Sequence, residues 1–239
     1  MTFKTQAIII KRSNLGEADK IVTVFTKDFG KKKLIAKGVR KTLSKLGGHL
    51  ELFCLSKIQF TKGKNLDILT AAEVQKCFHA LRANLKSTNT AHYLAEITNK
   101  LLPEEEPHPK IFDLLDETLE YLDSVSPPLA IAYFETKLLT EIGFLPELYK
   151  CVICQKEIKP DHNKFSALRG GLVCNVCAEG KPISNDAIKI LRLFTNHHIN
   201  VTEKLKIKNE TIKEINRLTS AYLTEIHQND FNAKKFINM

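Results

Sequence analysis

The sequence has no long apolar run. Its longest unbroken stretch, Leu129 to Phe134, falls far short of the roughly 20 residues a membrane-spanning helix needs. The opening segment, MTFKTQAIIIKR, has neither a long apolar core nor a small-residue cleavage site, so no secretory leader is expected. The expected compartment is therefore the reducing cytoplasm, where paired cysteines hold metal rather than form disulfides. Catalytic signatures are missing too: there is no P-loop, dinucleotide fingerprint, GxSxG or HExxH. The densest acidic run, PEEEP at 103–107, reads as a solvated helix start, and the His197-His198 doublet reads as surface near a helix end. The chain is thus not expected to be an enzyme. Acidic residues are also scarce in one region. Residues 1–80 hold sixteen Lys or Arg against six Asp or Glu, whereas the remainder holds twenty against twenty-one. All of the net charge of +9 therefore belongs to the N-terminal third, which points to a polyanion partner rather than to generic solubility. The alternative is a solvated basic face.

The 239 residues, 43% apolar and 26% charged, allow one large domain or two to three small ones, with no internal repeat. Residues 5–75 read as five short strands: TQAIIIKR, KIVTVFTKD, KKLIAKG, LELFCLSKIQF and LDILTAAEV. Turn signals separate them at Asn14 to Gly16, Asp28 to Gly30, Gly47-Gly48 and around Gly63. Five strands in about seventy residues predict a small barrel or sandwich, and the five-stranded OB type fits both the count and an affinity for nucleic acid. Beyond Val74 the period becomes helical. Leu81, Leu85, Tyr93, Leu94, Ile97 and Leu101 form one stripe, and Ile111, Leu114, Leu115, Leu119 and Leu122 form a second. Ser126-Pro127-Pro128 opens a helix that Gly143 stops, Ser184 caps another, and a last helix carries Ile212 to Ile226. The polar tail from Gln228 is expected to fray. The predicted fold is α+β and multidomain: an OB-fold barrel over 1–80, then an α-helical domain over 81–239 with a four-cysteine zinc module inserted at 147–181.

That module rests on two CxxC pairs, Cys151/Cys154 and Cys174/Cys177, separated by nineteen residues. Each pair puts two sulfurs on one tight turn, and two such turns complete a tetrahedron around zinc. Four sulfurs leave no position for water or substrate, so one structural Zn2+ per chain is expected. His162, in the intervening loop, is expected to be a surface residue. Gln155 and Ala178 stand where such knuckles often carry glycine. Cys54 and Cys77, in apolar surroundings, are expected to be core thiols.

The positive charge peaks in KDFGKKKLIAKGVRKTLSK, residues 27–45. There Lys31, Lys32, Lys33, Lys37, Arg40, Lys41 and Lys45 are the expected DNA-binding residues. Strand alternation puts Lys33, Ile35 and Lys37 on one side and Leu34 and Ala36 on the other, with Arg40, Lys41 and Lys45 following in a loop that starts at Gly38. Such cations neutralise phosphates without reading sequence. Phe29 is either a base-stacking platform or a core residue, and the core reading is preferred.

Three stretches then carry a family likeness. AIIIKRSNLGEADKIVTVFTKDFGKKKLIAKGVRK matches at Gly16, Asp19, Thr26, Gly30, Ala36, Lys37, Gly38, Arg40 and Lys41. FETKLLTEIGFLPELYKCVIC matches at Phe134, Leu138, Leu139, Gly143, Pro146, Cys151 and Cys154, and SALRGGLVCNVC matches at Ser166, Gly170, Gly171, Cys174 and Cys177. In this order they resemble the RecO family of bacterial recombination mediators over nearly the whole chain. The resemblance implies binding of single- and double-stranded DNA, annealing of complementary strands, partnership with RecR, and contact with the C-terminal tail of single-strand-binding protein. It also implies help in loading RecA and a place in the cytoplasm at the nucleoid, with no membrane role. Not all members of that family keep the cysteines, which makes zinc a stability device.

Two other classes compete. One is a zinc-containing transcription or translation factor whose module itself touches nucleic acid. The other is a nuclease or hydrolase, which divalent-metal-dependent DNA cleavage would reveal.

Overall fold

The computed structural model describes residues 1–78, 81, 84–122, 124–177, 179–229 and 231–237, with the backbone alone at 203 and 204. Two compact units emerge, one of residues 1–124 with 231–239 and one of residues 125–230.

In the first unit, strands β1 (Thr2–Leu15), β2 (Asp19–Thr26), β3 (Gly30–Ala36), β4 (Leu55–Thr61) and β5 (Asp67–Lys76) close a barrel. The order is β1-β2-β3-β5-β4, returning to β1 through the antiparallel β1–β4 pair, with β3 and β5 parallel. This is the OB-type barrel that the strand count predicts. Side chains at every second position, among them Ala7 and Ile9, Val22 and Val24, Leu34 and Ala36, Ile58 and Phe60, fill the interior. The intervening residues Ile8, Ile10 and Phe25 are buried as well. The AIII run is continuous because both faces of β1 are covered, and each large side chain so buried contributes about 1.5–3 kcal/mol.

Helix α1 (Leu85–Leu101) starts where the Asn84 side chain accepts the Lys86 N–H at 2.9 Å. It ends at Leu102, which is extended because Pro103 follows. Helix α2 (Pro109–Tyr121) begins on proline and packs Phe112 against Phe25, ring centres 5.8 Å apart. Residues 231–237 belong to this unit, and they are held in place where the polarity of the tail predicts fraying. Phe231 is buried against Tyr93, and the N–H groups of Asn232 and Ala233 donate to the Glu96 carboxylate at 2.9 and 2.6 Å. One aromatic anchor and one capping carboxylate hold a segment that composition alone reads as loose.

In the second unit, α3 (Pro127–Glu141), α4 (Asn185–Asn196) and α5 (Asn209–His227) pack together. Gly143, with φ +78°, turns the chain after α3, and the Ser184 hydroxyl caps α4 through the Ala187 N–H. Fully buried Glu135 on α3 accepts hydrogen bonds from the Thr219 and Ser220 hydroxyls of α5. Between α3 and α4 lies a small module with strands β6 (Lys164–Ser166), β7 (Gly171–Val173) and β8 (Lys181–Pro182), in the order β7-β6-β8. Among the described residues, no helix is long and apolar enough to cross a membrane.

Candidate nucleic-acid interface and metal centre

The seven expected DNA-binding cations separate into two groups. Lys37, Arg40, Lys41 and Lys45 are exposed on the connection that leaves β3. That connection is fixed by the β1–β2 turn. Gly38, with φ +64°, donates its N–H to Asp19 Oδ1 at 2.7 Å, the Arg40 N–H reaches Ala18 O at 2.9 Å, and the Arg40 guanidinium reaches Gly16 O at 2.9 Å. The loop is anchored through its backbone while its lysines face outward. Among the described residues, no carboxylate pairs with Lys37, Lys41 or Lys45. The alternation predicted along β3 is present: Leu34 and Ala36 are buried, and Lys33 and Lys37 are exposed.

Lys31, Lys32 and Lys33 are engaged within the protein instead. Lys31 is 7% exposed and donates to the carbonyls of Asn99 and Leu102 at 2.6 and 2.8 Å, and burial pushes its ammonium below the usual lysine range. Lys32 is 5% exposed between Asp67 at 3.2 Å and Glu105 at 2.6 Å. Burial alone would lower the Lys32 pKa, but the two carboxylates outweigh it and hold it above the ordinary value. Lys33 pairs with Glu104 at 2.5 Å. The PEEEP run is therefore not a helix start. Glu104 lies in parallel register with Lys31, the Glu105 N–H donates to Lys31 O at 2.9 Å, and helix α2 begins only at Pro109. Glu104 and Glu105 are the partners that reading the sequence misses. Three acids after Pro103 balance three lysines after Gly30, yet nothing local to either run shows that they meet. Phe29 packs edge-on against Phe3 and Phe60 at 5.5 and 5.4 Å, so it belongs to the barrel core and is not a stacking platform.

The four cysteines of the two CxxC pairs converge. Their Sγ atoms all lie within 4.8 Å of one another. Each pair sits on a tight turn, with the Gln155 N–H on Cys151 O at 2.9 Å and the Cys177 N–H on Cys174 O at 3.2 Å. Gln155 takes the left-handed φ of +60° that glycine often supplies there, whereas Ala178 lies outside the described residues. Backbone support is close: the Val152 N–H reaches Leu172 O, the Leu172 N–H reaches Glu147 O, and Glu147 Oε1 accepts from the Tyr149 and Lys150 N–H groups. Burial pushes the Cys151 thiol up, but N–H groups of Cys154, Cys174 and Ile153 outweigh it and bring it to about 6. Burial and then the three other sulfurs push Cys177 up to about 12. Crowded sulfurs of this kind repel one another as anions, and a cation at their centre relieves the repulsion. The cluster can hold a metal ion. His162 is exposed and stands outside it, as expected.

The remaining two cysteines differ from expectation. Cys54 and Cys77 are joined by a disulfide, with Cα atoms 4.5 Å apart. The physical reason is register: Leu55 faces Lys76 across the antiparallel β4–β5 pair, so the residues just outside that pair fall opposite each other.

Comparison with known proteins gives a consistent answer over both units. The family profile described as "Recombination protein O N terminal" matches residues 1–78, and the one described as "Recombination protein O C terminal" matches residues 82–234. The chain belongs to the recombination protein O family. Among its relatives is the DNA repair protein RecO of Dehalococcoides mccartyi, 39% identical over 217 residues covering 89% of this chain and 86% of the relative. The protein of that name from Roseiflexus is 34% identical over 99% of this chain and 85% of its own length. That from Halalkalibacterium halodurans is 31% identical over 100% and 95%. The family boundary between residues 78 and 82 follows the change from strand to helix, whereas the compact unit that contains the barrel extends through α2 to Ser124.

Proposed function

We propose that this protein is a non-enzymatic DNA-binding mediator of recombinational repair, acting in the cytoplasm at the nucleoid. The observation that carries the reading is the anchored loop after β3, where Lys37, Lys41 and Lys45 project outward beside exposed Arg40, whose guanidinium also ties the loop to the β1–β2 turn. In five-stranded barrels of this topology, the face of strands 2–3 and the adjoining loops take oligonucleotides. The DNA-binding domain is residues 1–80, and the helical domain, 81–239, carries the zinc module at 147–181. Four phosphate contacts on a single strand give a slope of log affinity against log salt of about −2.8, with little dependence on base sequence. Titration of labelled oligonucleotides at several salt concentrations, with native protein and the K37A/R40A/K41A variant, tests this. A variant that binds as tightly as the native protein refutes it.

The metal is zinc, one per chain, held by Cys151, Cys154, Cys174 and Cys177. Supporting this, Cys154 Sγ and Cys174 Sγ are 3.7 Å apart, and a tetrahedron with zinc–sulfur bonds of about 2.3 Å has edges of about 3.8 Å. Its four positions are filled by protein sulfur, so the zinc is a brace. It binds no substrate.

Both single- and double-stranded DNA are bound and complementary strands annealed. With RecR, the protein helps RecA onto DNA coated by single-strand-binding protein. The tail of that protein, acidic with an apolar end, docks on the helical domain. A groove of about 240 Å³ beside α4 supports this, offering Ile190, Leu205 and Ile207 with Lys189, Lys206 and Lys208 around them against one acid, Asp186, which lies 3.8 Å from Lys189. Calorimetry with the tail peptide should show weaker binding to K189E/K206E/K208E, and equal binding would refute the groove.

A further inference from the structure

The barrel carries a second basic group that its own chain has filled. Lys32 and Lys33 of β3 and Lys62 of the β4–β5 loop line a concavity of about 220 Å³, whose carboxylates are Asp67, Glu104 and Glu105. Strand 3 and the loop between strands 4 and 5 belong to the surface on which barrels of this topology hold oligonucleotides. Here the anions in place are carboxylates. Glu104 sits on Lys33 at 2.5 Å, Glu105 sits on Lys32 at 2.6 Å, and Lys62 approaches Asp67 at 3.5 Å. A carboxylate oxygen and a phosphate oxygen satisfy an ammonium in the same way.

The segment that supplies these carboxylates is built to lie close and to come away. Residues 103–107 are exposed on their outer side and bounded by Pro103, Pro107 and Pro109. Their backbone meets β3 in a short parallel bridge of Glu104 with Lys31, which includes the hydrogen bond from the Glu105 N–H to Lys31 O. Glu105 has φ +63°, a left-handed conformation that costs energy for any residue with a side chain. Gly30 makes the close approach possible, since a Cβ there would stand 2.1 Å from Glu106 O. The contact is thus specific in position, and its two ion pairs put exposed carboxylates on a half-exposed Lys33 and a buried Lys32, so salt and competing anions reach the Glu104 and Glu105 side of each pair.

We propose that Pro103–Glu106 is an internal mimic of a nucleic-acid backbone: Glu104 and Glu105 occupy a phosphate-binding subsite made by Lys32, Lys33 and Lys62, and a bound single strand displaces them. This rests on the reading of the β3 loop as the DNA surface, which it extends from one end of the strand to the other. The segment acts as a built-in competitor. It sets a threshold on binding, so short or weakly charged anions that reach the loop alone do not open the subsite.

The test uses the full chain and a labelled oligothymidylate too short to displace the segment from the native protein, read by fluorescence anisotropy across a salt series. E104Q/E105Q should bind at least about threefold more tightly at low salt, and its salt slope should steepen by about 1.4 as two more phosphates are contacted. E73Q/E210Q, which removes the same charge at exposed positions elsewhere, should give a smaller gain and an unchanged slope. Lys33→Ala should cost little in the native background and more in E104Q/E105Q, because only there is Lys33 available. The proposal is overturned if E104Q/E105Q matches the E73Q/E210Q control in both affinity and slope. It is equally overturned if Lys33→Ala costs the same in both backgrounds. The underlying loop reading has its own check in K37A/R40A/K41A, whose failure to weaken binding counts against the loop and not against the Glu104–Glu105 comparison.

Discussion

Replacing Cys174 by Ser removes one of four sulfurs from a module that has little else to hold it. Its strands β6, β7 and β8 are three, three and two residues long, and its interior consists of a few side chains such as Leu148, Phe165, Leu172 and Val173. Structural zinc contributes about 10–16 kcal/mol in isolated peptides, so one ligand of four accounts for about 3 kcal/mol. The compact unit containing the module runs from Val125 to Asp230. For a unit of about 100 residues, 3 kcal/mol lowers the midpoint by about 14 °C. Scanning calorimetry on native and Cys174→Ser protein, with zinc measured by elemental analysis, gives both numbers. The expectation is one zinc per native chain and a fall of about 10–15 °C in the transition of this unit. Purification without chelators that yields native protein free of zinc, or a variant with an unmoved transition, would refute the brace.

Three further outcomes follow from packing and charge. Asp67→Asn leaves buried Lys32 short of a partner and should destabilise the barrel by about 3 kcal/mol in urea unfolding. Burial raises the Asp67 carboxyl, but Lys32 outweighs it and holds the folded-state value below 3.8. Its contribution is therefore present above pH 3.8 and lost as pH falls through that depressed value, which acid titration of native against D67N stability checks. Phe231→Ala should cost about 3 kcal/mol and raise hydrogen exchange at Asn232 and Ala233, whose amides the Glu96 carboxylate holds. Gly30→Ala should destabilise by at least about 1–2 kcal/mol from the left-handed backbone alone, and protease sensitivity near Glu106 should rise as the segment is pushed off.

Much of the architecture is legible because it follows from period and punctuation. The alternation in KIVTVFT and KKLIA requires one face inside, Ser184 three residues before Ala187 marks a helix start, and CxxC twice brings four sulfurs to one point. What stays hidden are pairings between segments far apart in the chain. Lys33 and Glu104 are seventy-one residues apart, and neither run says that the other neutralises it. Cys54 and Cys77 face one another only through the β4–β5 register, which sequence composition does not set. The tail escapes for a related reason. Phe231 and Phe236 among polar residues set no sustained period, yet one buried aromatic, Phe231, is enough to dock a turn.

On the proposed function, the barrel loop after β3 holds DNA by its phosphates. The measurement that reaches it most directly is the salt dependence of single-stranded DNA affinity for native protein and for K37A/R40A/K41A. The account predicts a slope near −2.8 for the native loop, reduced by about 2 when three cations are removed, with equal losses on unrelated sequences. A native slope near zero, or a variant whose slope and affinity match the native protein, would contradict it.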